Sequence, residues 1–92
     1  MARYNAVMPN PSFDPSDIAG SLRAAVLEKL SDATVEVTTG GGGHFSLKVT
    51  SAEFRGRTML ESHRLVYAAI APLMAGNAAP VHAIDSLKTV AG

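Results

Sequence analysis

The chain has 92 residues, is 47% hydrophobic, and balances 8 Lys and Arg against 8 Asp and Glu. This length excludes a multidomain layout and allows a thin core, about two helices on one sheet face. Zero net charge removes the whole-molecule field that attracts nucleic acid, and the absence of cysteine excludes disulfides, thiolate metal sites and cysteine nucleophiles.

No apolar run is long enough to span a bilayer, so the protein is expected to be soluble and non-membranous, in the cytoplasm or an organelle and not secreted. Residues 1–12, MARYNAVMPNPS, lack a long apolar segment and carry two prolines, which predicts a flexible lead-in. Residues 13–92 form the single domain. FDPSDI reads as a helix start, with Phe13 as apolar staple, Asp14 as N-cap, Pro15 first, Asp17 third and Ile18 fourth in the helix. The predicted buried stripe is Ile18, Leu22, Ala25, Val26 and Leu30, and the helix should stop near Ser31 and Asp32.

TVEVTT at 34–39 and FSLKVT at 45–50 alternate and are rich in β-branched residues, predicting two strands of a hairpin. Residues 40–44 join them. Four consecutive glycines there predict a mobile loop in which the backbone is free to approach another molecule, a plain flexible connection being the simpler alternative.

The stretch SAEFRGRTMLESHRLVY, residues 51–67, reads as a turn on Phe54 and Gly56 followed by an amphipathic helix. Thr58 and Glu61 have capping-box spacing. Met59, His63, Val66, Ile70 and Leu73 form the predicted buried stripe, widened by Leu60, Tyr67 and Met74, so His63 is expected to be a structural histidine. Arg55, Arg57 and Arg64 make a small basic patch. Pro72 predicts a kinked or separate last turn, Gly76 and Asn77 a helix stop, and VHAIDSLKTV at 81–90 a third strand parallel to the second through a right-handed crossover. The expected fold is α+β, ordered α-β-β-α-β, with a three-stranded mixed sheet and two helices on one face.

Of the three histidines, none has the spacing of a zinc ligand pair. Read from the residues alone, His44 is a strand-edge residue and His82 a hydrogen-bonded strand cap. Ser62 and His63 are adjacent on a helix and point about 100° apart, so no catalytic constellation is present and an enzyme is not expected.

Taken together, Ser51, Phe54 and Gly56 in a Ser-x-x-Phe-x-Gly turn, His63 and Arg64 before Val66 and Tyr67, and the His82-Ala83 pair resemble the signature of the BolA family. In element order the resemblance covers residues 17–89. It implies a fold similar to a type II KH domain, and Ser51, Phe54, Gly56 and His63 then belong to the structural motif. Ser62 stands where many members carry Arg, the connection through Pro72 and Gly76 is long, and Asp85-Ser86 inserts one residue, which a β-bulge in the last strand would absorb.

The resemblance further implies an adaptor in iron–sulfur trafficking or iron regulation, joined to a monothiol glutaredoxin through a shared [2Fe–2S] cluster. His82 and His44 are the implied iron ligands, with the partner's cysteine and glutathione opposite them; two imidazoles on one iron is the Rieske arrangement. The isolated chain would bind no cluster, and homodimerisation stays open. The alternative implied by the family is transcriptional regulation in stress response, with Arg55, Arg57, Arg64 and Lys48 touching nucleic-acid phosphates. Against it, the GxxG loop of a true KH domain lies between helices, whereas these glycines lie between strands.

Overall fold

The computed structural model describes residues 17–76 and 79–92; the expected lead-in, Phe13, Asp14, Pro15 and Asn77 lie outside them. In chain order the elements are α1 (Ile18–Lys29), β1 (Thr34–Gly41), β2 (His44–Ser51), a 3₁₀ turn (Ala52–Phe54), α2 (Met59–Met74) and β3 (Ala83–Ala91). The sheet order is β1-β2-β3, β2 running antiparallel to β1 and parallel to β3. This is the expected α+β layout, with both helices over one sheet face.

The strands show why. Along β2, Phe45, Leu47, Val49 and Ser51 are buried while His44 and Lys48 are exposed, the period-2 pattern of a sheet covered on one side. Leu22, Val26 and Leu30 of α1 and its C-cap, with Val66 and Ile70 of α2, join Val35, Phe45, Leu47, Val49, Phe54 and Val81 in one core. Ile18 and Ala25 pack at its margin, so the α1 stripe is as read from the sequence.

The start of α1 differs from expectation. Asp17 is its N-cap, outside helical backbone angles, and not the third helical residue: its Oδ1 accepts from Gly20 N–H at 2.8 Å. A side chain at position 20 would collide with that carboxylate, so a glycine inside the first turn lets the cap fold over it.

In α2 the capping box is formed, Thr58 Oγ1 accepting from Glu61 N–H at 3.1 Å and Glu61 Oε1 from Thr58 N–H at 2.9 Å. The buried face, however, is Ser62, Val66, Ala69 and Ile70, rotated from the predicted stripe. Met59 and Leu60 are 71% and 59% exposed, Tyr67 is exposed as well, and His63 is half-buried at the edge of the stripe. The small residues Ser62 and Ala69 occupy the close approach, and the apolar side chains of the first turn are left in solvent. Pro72 does not divide the helix, which continues to Met74. Ala68 and Pro72 both face solvent, so the carbonyl left without its helical donor can be hydrated. Gly76, at φ +86°, supports the helix stop.

The signature turn is structural. Ser51, 1% exposed, donates from Oγ to Asp32 Oδ1 at 2.7 Å and accepts from Glu53 N–H at 3.1 Å, while Asp32 Oδ2 accepts from Ala52 N–H at 2.8 Å. Phe54 is a core residue and Gly56 has φ +74°. The hydrogen bond from Ser51, then that from Ala52, holds the Asp32 carboxyl below its ordinary pKa of 3.8. A lowered folded-state pKa contributes stability above 3.8 that disappears as pH falls through the lower folded value. The melting-temperature gap between the parent and Asp32→Asn is therefore expected to be constant at neutral pH and to narrow under acid; a gap independent of pH between neutrality and strong acid would contradict this.

Candidate metal-ligand site at the hairpin tip

The four glycines form a tight hairpin end in place of the expected open loop. β1 extends to Gly41 and β2 begins at His44, leaving Gly42 and Gly43 as a two-residue turn. Their φ values, +64° and +81°, suit the twist of a tight hairpin, where both central residues need the left-handed region. The register skips from Thr39↔Phe45 to Gly41↔His44, so Gly40 is a bulge residue. The entropy lost by ordering glycine is offset because each residue brought into place completes a strand ladder or a turn.

The hairpin tip meets β3. Gly43 C=O accepts from the backbone N–H of both His82, at 2.8 Å, and Ala83, at 3.2 Å. The His82 ring lies over the Gly43 Cα, in the space a side chain there would need. Val81, 1% exposed, anchors the approach, its N–H donating to Leu73 C=O at 3.2 Å. β3 itself starts at Ala83, so His82 is the residue before the strand and not its first member.

His44 belongs to β2 and not to the connection. It is a strand residue opposite Ala83, on the uncovered sheet face, and its Nδ1 lies 2.9 Å from Asp85 Oδ1, with the two side chains 49% and 52% exposed. Asp85 reaches it because the β3 bulge is real: Phe45 pairs with Ile84 and Ser46 with Ser86, leaving Asp85 unpaired. An extra residue re-aims its side chain. The insertion was legible in the sequence; the carboxylate–imidazole pair it creates was not.

Parallel pairing thus sets two exposed histidines at one end of β2 and β3. Among the described residues no group of three or more His, Asp or Glu could hold a metal ion, so the pair offers part of a coordination sphere. Two neutral imidazoles and no thiolate suit one iron of a shared cluster whose other ligands come from elsewhere.

Of the basic residues of the alternative reading, Lys48 lies apart from Arg64. Lys48 is on the uncovered sheet face, 3.8 Å from Glu36, whereas Arg64 is on the helical layer behind the sheet. Arg57 Nε donates to Glu53 C=O at 2.7 Å, and Arg55 Nε to Gly92 C=O. The groove between α1 and α2, lined by Ser21, Ala24, Ala25, Glu28, Ala69, Pro72 and Leu73, pairs no nucleophile with a base. No helix of the described residues is long and apolar enough to cross a membrane.

Comparison with known proteins agrees with this architecture. Residues 23–91 match the family model for BolA-like proteins. The chain is 35% identical over 82 residues to BolA-like protein 1 of Bos taurus, covering 75% of this chain and 58% of that protein. With the Homo sapiens BolA-like protein 1 it is 34% identical over 76 residues, covering 73% and 53%; the chain thus spans little more than half the length of these relatives. The solution structure of BolA1 from Mus musculus superposes with a TM-score of 0.58 at 30% identity, covering 97% of this chain and 75% of that one. The BolA domain of SufE1 from Arabidopsis thaliana superposes with a TM-score of 0.63, covering 79% and 92%; at 23% identity it supports the fold alone.

Proposed function

The chain belongs to the BolA-like protein family, and from that premise we propose that it is a non-enzymatic adaptor in iron–sulfur trafficking or iron regulation, joined to a monothiol glutaredoxin through a [2Fe–2S] cluster. The observation that carries this reading is the placing of two exposed histidines at one end of the sheet in a chain without cysteine. His82 and His44 would hold one iron, and the partner's cysteine with glutathione the other. In the heterodimer each side would supply the ligands of one iron, which makes the metal centre the joint between them. Such a cluster supplies a reducible iron pair, and imidazole ligation raises its potential relative to an all-thiolate site.

The two ligands are held differently. His82 is fixed through its backbone to Gly43 and through its ring to the same glycine's α carbon. His44 is fixed by the β2 ladder and by Asp85. Nucleic-acid binding through Arg55, Arg57, Arg64 and Lys48 has less support, because the cations lie on two layers.

The test is reconstitution. The chain is mixed anaerobically with a monothiol glutaredoxin, glutathione, ferrous iron and sulfide, and followed by visible absorption, circular dichroism and mass. A coloured 1:1 heterodimer that needs all components is expected. A glutaredoxin homodimer whose spectrum and mass do not change when this chain is added would defeat the proposal.

A further inference from the structure

We propose that Asp85 is a positioning residue that fixes the tautomer of His44, so that Nδ1 carries the proton and Nε2 presents its lone pair to iron. This rests on the metal-ligand reading of His44 above. A neutral imidazole has one N–H and one lone pair, and the hydrogen bond made by one nitrogen decides the role of the other. A carboxylate can only accept. At 2.9 Å from Asp85 Oδ1, Nδ1 must be the donor, and Nε2 becomes the ligand atom.

The backbone is built for this pairing. Asp85 is the one residue of β3 skipped by the β2 register, and 41 positions separate it from His44, so the bond is a product of the parallel alignment and the bulge together. Carboxylate–histidine–metal arrangements of this kind orient the ring and raise its basicity as a ligand. No comparable acceptor is found for a ring nitrogen of His82 among the described residues, so the two imidazoles differ in what sets their orientation.

The experiment has two readouts. In the metal-free chain at alkaline pH, long-range ¹H–¹⁵N spectra report the tautomer of His44 directly. The Nδ1–H form is expected in the parent and is expected to give way to a mixture rich in Nε2–H in Asp85→Ala, with Asp85→Asn between them because an amide can donate to Nδ1 as well as accept from it. Asp85 is half-exposed and outside the ladder, so backbone amide spectra of the variants should otherwise match the parent. In the reconstituted heterodimer, Asp85→Ala should weaken cluster retention about 10- to 100-fold, with Asp85→Asn intermediate. An Nε2–H tautomer in the parent, or an Asp85→Ala tautomer equal to the parent's, overturns the positioning role while leaving the ligand reading intact. Cluster retention unaffected by His44→Ala removes His44 as a ligand, and this inference with it, whatever the tautomer spectra show.

Discussion

Replacing His82 with alanine is expected to abolish the coloured heterodimer and leave the fold intact. The fold survives because the ring is exposed and the anchoring contact is made by the backbone N–H to Gly43 C=O, which alanine retains. The heterodimer is lost because a direct iron ligand disappears and only His44 of the histidine pair remains. Outer-shell partners alone are worth about 10–100-fold in metal affinity, so removal of the ligand itself should exceed about 100-fold. Titration of His82→Ala with glutaredoxin, glutathione, iron and sulfide, followed by visible circular dichroism, measures this. Should the variant give the parent's spectrum and affinity, His82 is not a ligand and the shared-cluster account loses one of its two histidines.

Gly43→Ala should be the most damaging single change at the hairpin tip. The residue has φ +81°, where a non-glycine residue costs about 1–2 kcal/mol, and the new methyl enters the space of the His82 ring. Ring displacement brings the expected total to about 2–3 kcal/mol, a fall in melting temperature of roughly 10 °C or more for a domain of this size. Gly42→Ala is the internal control: φ is +64° and the nearest atom to an added Cβ, His44 Cδ2, is 4.0 Å away, so only the backbone penalty applies. In the His82→Ala background the cost of Gly43→Ala should shrink toward that of Gly42→Ala, because the collision partner is gone. Equal costs of Gly43→Ala in both backgrounds would show that the ring does not depend on this glycine. Urea denaturation of the four chains gives the cycle.

These results bear on what holds the two imidazoles in place. His82 is set by a glycine whose carbonyl and α carbon both contact it, His44 by a carboxylate inserted through a bulge. Each support is local to the junction between the hairpin and β3, so the site can be disturbed by changes that leave the helical layer untouched.

Element types and their order are legible in the linear chain. The alternating β-branched strands, the capping box at Thr58 and Glu61 and the α1 stripe depend on interactions within a few positions, and such signals survive in a linear string, while the extra residue at Asp85 was legible through the family resemblance. Only the tertiary structure decided which face of α2 is buried, because that depends on where the helix lies over the sheet, so Met59 and Leu60 are left exposed and Ser62 is covered. It also decided that Gly42 and Gly43 close a tight turn, that Asp32 secures a turn about 20 residues away, and that Asp85 meets His44 across 41 positions. Those pairings arise when strands distant in the chain come into register, and the residue types on either side do not specify that alignment.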